Sequence, residues 1–207
     1  MPGWGASAAI YTAGMPDGWE VLDPPSFGST AGRLAALRSW AVHECRARAG
    51  PIALGGHSLG AALALFVALD ERIAVERLVL VSPAALPLTK PPPLMLLDFV
   101  RRVAAGWFPP GEASRAVRDV LVQPISARRL GSDVRRLDLT PELDRLRARG
   151  IPAVVVGTTT DTLTTPRHCR RVGELLGAEY HELDVEGGHL WFLRRPDLLA
   201  AELRGAG

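Results

Sequence analysis

Apolar runs that alternate with helical sequence constrain the fold of this chain more than any other feature. The run LVLV within residues 75–84 is apolar at every position, as in strands of a parallel sheet that are buried on both faces. The repeated order of strand and then helix is the signature of a doubly wound α/β domain. Strands are predicted within 18–25, 51–58, 75–84, 151–161 and 178–189, and helices within 29–50, 59–73, 140–150, 165–177 and 195–205.

Capping residues mark the ends of two of these helices. Ser29 or Thr30 can cap the first helix, and Gly50 can end it. Thr140 is expected to cap the helix at 140–150, where Pro141 fits the first turn.

A proline-punctuated stretch interrupts the alternation. Residues 86–133 are helical in pieces and contain no strand candidate of the earlier kind. A stretch of this type between two β/α units is typical of an insertion. We therefore predict an α/β core formed by residues 1–84 and 141–207, with a helical cap insertion over 85–140.

The composition excludes several classes of function. The 207 residues carry a formal net charge of +2, which is too balanced for a typical nucleic-acid-binding domain. No apolar run reaches the roughly 18 residues that a membrane span needs. Cys45 and Cys169 lie far apart, without metal or redox spacing, and no secretory signal is evident. We therefore predict a cytoplasmic protein with free thiols, and no nucleic-acid partner or membrane span.

Ser58 stands in the pattern GHSLG, between Gly56 and Gly60. A buried strand ends there and an alanine-rich helix begins, which is the context of a nucleophile elbow. The turn is so sharp that the serine must adopt a strained backbone, and side chains at the two glycine positions would collide with their surroundings. The N-terminus of the following helix favours developing negative charge beside the hydroxyl.

A serine hydroxyl is a weak nucleophile until a base takes its proton, and a histidine oriented by a carboxylate is suited to this role. His189 follows the last predicted strand on a loop that begins with Gly187-Gly188, so it is free to reach a neighbouring strand tip. The other histidines lie in helices, in a strand or inside the elbow; they are His43, His57, His168 and His181.

The carboxylate is expected at the end of another strand, between serine and histidine in the chain. Asp161 follows the apolar run IPAVVVGTTT and precedes a helix, so it meets both conditions. Asp184 is the competitor, but it lies close to His189 along the chain. We therefore predict Ser58, Asp161 and His189 as nucleophile, acid and base.

Two backbone N–H groups are needed to hold an oxyanion. Leu59 supplies one at the elbow. Trp4, in the loop PGWGAS, is the candidate for the second, because glycines on both sides let the backbone approach a ligand closely.

These motifs together resemble the α/β-hydrolase superfamily over nearly the whole chain. The residues that carry the resemblance are PGWG at the oxyanion loop, GHSLG at the elbow, GTTTDTLTTP at the acid and EGGH at the base. Within the superfamily, the chain is similar to small serine carboxylesterases of the pimeloyl-ester esterase type. The resemblance implies an α/β-hydrolase fold with a mostly parallel sheet, a helical cap after the sixth family strand, and hydrolysis through an acyl-serine intermediate.

The front of the chain departs from the family pattern. Two strands and then a third precede the family's oxyanion loop, whereas Met1 stands at the loop itself. We therefore expect a form that is N-terminally truncated relative to the family. If the chain is complete, its sheet must close up, and the loop with Trp4 would be poorly anchored.

The predicted function is cleavage of a small-molecule carboxylic ester by a Ser-Asp-His triad that needs no cofactor and no metal. Thioesters and N-terminal peptides suit the same machinery, so thioesterase and aminopeptidase activities stay open. The alternative from a different class is a non-catalytic or impaired protein on a hydrolase scaffold.

Overall fold

A computed structural model describes residues 1–4, 6–25, 34–109 and 111–205 of the chain. The strands are β1 (Ile52–His57), β2 (Val75–Val81), β3 (Ala153–Thr158) and β4 (Glu179–Leu183). The helices are α1 (Leu34–Arg46), α2 (Leu59–Ala68), α3 (Pro92–Ala104), α4 (Glu112–Val122), α5 (Pro124–Arg136), α6 (Thr140–Arg149), α7 (Pro166–Leu176) and α8 (Pro196–Arg204). Short 3₁₀ helices cover Ala8–Ile10, Thr12–Gly14 and Gly188–Leu193.

The four strands form one parallel sheet in the order β1-β2-β3-β4. Gly56 pairs with Leu80, Leu80 with Val155, and Val155 with Tyr180, so the register is continuous across the sheet. Because all strands run the same way, their carboxyl ends meet at one edge. Ligand sites of open α/β sheets lie at that edge.

Strand β2 is buried on both faces, as its unbroken apolar run predicts. Leu78 and Leu80 pack in one core cluster with α1, α2, α6 and α7. Val79 and Val81 point the other way, into a second cluster that includes residues of α8 and of the 188–193 helix. Alternate side chains of one strand therefore fill two separate layers, which confirms the α/β architecture.

The strand predicted at 18–25 is wrong, because these residues adopt turn and irregular backbone instead. Among the described residues, the outer edge of β1 pairs only with Met1. The Met1 amino group donates to the Gly55 carbonyl at 2.6 Å, and its carbonyl accepts from His57 N–H at 3.1 Å. Trp19 lies against Gly55, and beside it a cavity of ≈ 410 Å³ runs along β1. Pro24 and Pro25 fix φ and lack N–H donors, which disfavours sheet pairing there.

Two helix ends differ from their predicted caps. The residue before α6 is Leu139, and Thr140 is the first helical residue, whose hydroxyl donates to Asp138 at 2.7 Å. Pro141 does lie in the first turn, as predicted. Helix α1 ends at Arg46, before Gly50, and the predicted caps Ser29 and Thr30 lie outside the described residues.

The segment between β2 and α6 is helical, as its sequence predicts, and consists of α3, α4 and α5. Its helix α5 packs into the same core cluster as Leu78 and Leu80 through two buried side chains, Leu130 and Val134. None of the helices in the described parts of the chain combines the length and the apolar character needed to cross a bilayer.

Candidate active site

Ser58 occupies the turn between β1 and α2 with φ 54° and ψ −116°. Residues other than glycine rarely adopt such a positive-φ conformation. A Cβ at Gly56 would overlap the backbone of Gly60, and a Cβ at Gly60 would overlap the Met1 carbonyl. The two glycines are therefore required by close backbone contacts on either side of the serine. The elbow has the strained geometry that its sequence predicts.

Asp161 and His189 form a buried hydrogen-bonded pair at the same edge of the sheet. Asp161 lies three residues beyond β3, and His189 lies in the 3₁₀ helix that follows β4. His189 Nδ1 is 2.8 Å from Asp161 Oδ2. The side chain of Asp161 is fully covered, and that of His189 is 14% exposed.

The Asp161 carboxylate is saturated with donors. Oδ1 accepts from the backbone N–H groups of Leu163 at 2.8 Å and Thr164 at 3.1 Å, and Oδ2 accepts from the Thr164 hydroxyl at 2.8 Å besides His189. Burial on its own raises the pKa of Asp161, but the attraction of His189 and these hydrogen bonds hold it below its ordinary value. The group is therefore an anion at neutral pH.

The state of Asp161 fixes the tautomer of His189. An ionised carboxylate only accepts hydrogen bonds, so the proton between the two side chains belongs to Nδ1 of the imidazole. In neutral His189 the lone pair then lies on Nε2. This is the arrangement that a general base needs.

His189 lies beside the elbow, with its ring centroid 4.7 Å from that of His57. Among the described residues, the Ser58 hydroxyl makes no hydrogen bond. The hydrogen bonds of a catalytic site are often long before substrate binds and shorten in the complex. Ser58 is buried, with 7% of its surface exposed.

Of the two residues predicted for the oxyanion, Leu59 directly follows Ser58, and Trp4 follows Gly3, which lies against the elbow. Leu59 is the first residue of α2, so its N–H has no carbonyl partner within the helix. Trp4 is 41% exposed and follows Gly3, at which a Cβ would lie 3.3 Å from Ser58 Cβ. Gly5 lies outside the described residues. The residues before Trp4 are held by hydrogen bonds, because Met1 pairs with β1 and Gly3 N–H donates to Tyr11 Oη at 3.0 Å.

The sequence matches the Alpha/beta hydrolase family over residues 1–202. The chain belongs to this family.

Solved structures agree with the fold of this α/β-hydrolase chain. A lipase-esterase related protein from Clostridium acetobutylicum is 14% identical, with a TM-score of 0.68 over 99% of this chain and 91% of that one. An esterase from Exiguobacterium antarcticum is 15% identical, with a TM-score of 0.68 over 99% and 92%. The thioesterase domain from the curacin biosynthetic pathway is 17% identical, with a TM-score of 0.66 over 99% and 88%. No curated protein matches the chain.

The other polar candidates of this hydrolase-family chain are engaged elsewhere. Asp184 accepts a hydrogen bond from the Thr159 hydroxyl at 2.9 Å, at an exposed position. His181 pairs with Glu202 at 2.7 Å on the surface of β4. His168 is bonded through Nε2 to the Pro83 carbonyl at 2.9 Å, and burial lowers its pKa.

Sequence reasoning missed the threonines around Asp161. The hydroxyl of Thr160 donates to the Val185 carbonyl at 2.9 Å and accepts from Gly188 N–H at 3.0 Å. Thr159 bonds Asp184, as described above. These contacts tie the loop after β3 to the loop after β4, so Asp161 and His189 are held as one unit. The run TTTD was the available signal, because adjacent short hydroxyl side chains at a strand tip can bond a neighbouring loop.

Sequence analysis also missed Thr164. Its hydroxyl is completely buried and contacts both Asp161 Oδ2 at 2.8 Å and His189 Nδ1 at 3.2 Å. It can donate to the carboxylate while accepting part of the imidazole N–H. Thr164 thus fixes the plane of the carboxylate toward His189.

Proposed function

We propose that this protein is a serine hydrolase that cleaves a carboxylic ester through an acyl-serine intermediate. The observation that carries the proposal is the buried Asp161–His189 pair beside a serine with φ 54°, at the carboxyl edge of the sheet. Membership of the hydrolase family and the fold of the esterases described above support it.

In the first half of the reaction, Ser58 Oγ attacks the acyl carbon while its proton passes to His189 Nε2. Asp161 stabilises the imidazolium that forms. The carbonyl oxygen becomes an oxyanion, which the N–H groups of Leu59 and Trp4 would hold. The tetrahedral intermediate then expels the alcohol, which takes the proton from Nε2, and the acyl group remains on Ser58.

In the second half, His189 Nε2 removes a proton from water as the water oxygen attacks the acyl-serine carbon. Collapse of the second tetrahedral intermediate breaks the bond to Ser58 Oγ, which takes the proton back. The products are a carboxylic acid and free enzyme. These residues need no metal or organic cofactor for the sequence of steps.

A thioester would pass through the same steps with a thiol as leaving group. A thioesterase domain has a fold similar to that of this chain, so the fold is compatible with this substrate class. A panel of matched p-nitrophenyl esters, acyl thioesters and aminoacyl amides separates the three activities by kcat/KM.

A second candidate is a binding protein on the same scaffold, which does not turn substrate over. The observation in its favour is that the Ser58 hydroxyl makes no hydrogen bond among the described residues. A fluorophosphonate probe separates the candidates, since it reacts covalently only with an activated serine.

The test compares wild type with Ser58→Ala and Ser82→Ala. Ser82 is the matched control, because it also has positive φ at a strand tip, and its buried hydroxyl has no hydrogen-bond partner among the described residues. We expect labelling of wild type and Ser82→Ala, none of Ser58→Ala, and a loss of ester turnover on the order of 10⁴-fold or more in Ser58→Ala. Absence of labelling in well-folded wild type would support the binding protein, and retained labelling in Ser58→Ala would exclude Ser58 as the nucleophile.

A further inference from the structure

A chain of three hydrogen bonds runs behind the elbow and joins the first residues of the protein to the 3₁₀ helix that holds His189. Gly3 N is 3.0 Å from Tyr11 Oη, and Tyr11 Oη is 2.9 Å from His57 Nδ1. On the other side of the ring, His57 Nε2 is 2.9 Å from the backbone carbonyl oxygen of His189.

The donors and acceptors along this chain fix the position of every proton. Gly3 N–H can only donate, so Tyr11 Oη accepts from it and the Tyr11 hydroxyl donates a hydrogen bond to Nδ1 of His57. The carbonyl of His189 can only accept, so Nε2 of His57 carries the ring proton. His57 is therefore in the Nε2–H tautomer, with both ring nitrogens occupied, and it is not available as a base for Ser58.

The ring of His57 is enclosed by aromatic side chains that keep water from this chain. Tyr11 stacks on Phe192 at a centroid distance of 4.9 Å, and Phe192 meets the edge of His57 at 4.8 Å. Tyr11 and His57 are each 5% exposed. Burial raises the pKa of Tyr11 and lowers that of His57, so both side chains are neutral at physiological pH. Each hydrogen bond in the series therefore keeps the donor and the acceptor given above.

The two ends of the chain are the two parts of the site that come from distant segments. One end is Gly3, directly before Trp4, the proposed oxyanion donor, and its Cα faces His57 Nδ1 and Ser58 Cβ. The other end is the backbone of His189, the proposed base. His57, in the middle, is the residue before the proposed nucleophile.

We propose that Tyr11 and His57 are positioning residues, which hold the Trp4 loop and the His189 backbone in register with Ser58. This inference rests on the proposed function, because it assigns the chain a role in aligning that same site. Misplacement of a reacting group by about 1 Å can cost on the order of 10²-fold in rate, so the alignment is of direct catalytic consequence.

Tyr11→Phe tests the inference, because it removes one hydroxyl and leaves the aromatic packing in place. We expect kcat for a p-nitrophenyl ester to fall by about 10-fold to about 10²-fold with KM nearly unchanged. Tyr180→Phe is the matched control: its hydroxyl donates to Glu182 at 2.9 Å in a solvent-exposed hydrogen bond, and its removal should change kcat by less than about 2-fold. Circular dichroism and the melting temperature verify that both variants are folded.

His57 provides a second pair of variants. The side-chain amide of His57→Gln can still donate toward the His189 carbonyl, whereas His57→Ala offers no donor. We therefore expect His57→Gln to retain several-fold more kcat than His57→Ala. Equal losses in two folded variants would show that the donor to His189 has no part in alignment.

A measurement independent of activity separates this inference from the proposed function. Long-range ¹H–¹⁵N NMR correlations of the His57 ring, assigned by their loss in His57→Gln, report which nitrogen carries the proton. We expect Nε2 to be protonated in wild type, and a shift of the Nδ1 signal in Tyr11→Phe. A proton on Nδ1 of wild type, or unchanged kcat in Tyr11→Phe of an active enzyme, overturns the inference. Wild type that shows the expected tautomer but does not turn over esters contradicts the proposed function and leaves the hydrogen-bonded chain established.

Discussion

The imidazole of His189 meets the carboxylate of Asp161 at 2.8 Å although 28 residues separate them in sequence. Strand β4 and helix α7 fill that interval and return the chain to the same edge of the sheet. The pair is therefore a product of the parallel topology, and each of its partners can be tested separately.

Replacement of Asp161 by asparagine removes the charge that stabilises imidazolium and disturbs the tautomer of His189. We expect Asp161→Asn to lower kcat for a p-nitrophenyl ester by on the order of 10³-fold to 10⁴-fold. Asp184→Asn is the control, because Asp184 bonds only the exposed Thr159 among these groups. A loss in Asp184→Asn comparable to that in Asp161→Asn would mean that the acid has been wrongly assigned.

The Thr164 hydroxyl should contribute to alignment of the same pair. Thr164→Val keeps the shape of the side chain but removes the donor to Asp161 Oδ2, and we expect about a 10-fold loss of kcat with a loss of about 1 kcal/mol in the free energy of unfolding. Thr164→Ser should restore most of both. Thr162→Val, at a hydroxyl that contacts Lys90 and Asp98 at the surface, should leave kcat within about 2-fold of wild type. Steady-state kinetics and urea unfolding check these outcomes, and full activity of Thr164→Val would refute the role.

The lowered pKa of Asp161 predicts a pH-dependent contribution to stability. A carboxyl group whose pKa is lower in the folded than in the unfolded state stabilises the fold above the unfolded pKa, and this contribution is lost as the pH falls toward the folded pKa. The difference in free energy of unfolding between wild type and Asp161→Asn should therefore be largest at neutral pH and shrink below about pH 4. Urea unfolding at a series of pH values measures it. A difference that grows on acidification would contradict the assigned direction of the pKa shift.

Gly60 is predicted to be intolerant of any side chain, because a Cβ there would overlap the backbone of Met1 and Pro2. Gly60→Ala should lose several kcal/mol of stability, or fail to accumulate as folded protein, because backbone atoms cannot move away from the new Cβ without a large cost in free energy. Gly131 in α5 is the matched control, because a Cβ there would meet no atom of the described residues within 4 Å outside its own stretch of helix. Gly131→Ala should be neutral or more stable by about 0.5–1 kcal/mol, because alanine favours helix. Equal melting temperatures for the two variants would argue against the close contact at Gly60.

Sequence patterns alone predict the order of β1 to β4 and of the helices that alternate with them, and the local form of the elbow. Both follow from short-range patterns: the apolar run of β2 requires cover on both faces, and GHSLG places its glycines where backbone contacts leave no space. The strand predicted at 18–25 was wrong because it, too, rested on a short-range pattern alone. Its apolar residues fit a strand locally, but sheet pairing depends on a neighbour that sequence pattern does not specify.

The side chains that support the proposed triad become visible only in the folded protein. Thr164 contacts His189, and Tyr11 contacts His57, across 25 and 46 residues of chain. No periodicity or spacing encodes such contacts, because they depend on how the loops after separate strands approach one another. Residues adjacent in sequence form the elbow, whereas the hydrogen bonds around Asp161, His189 and Gly3 exist only once the parallel sheet has brought its strand ends together.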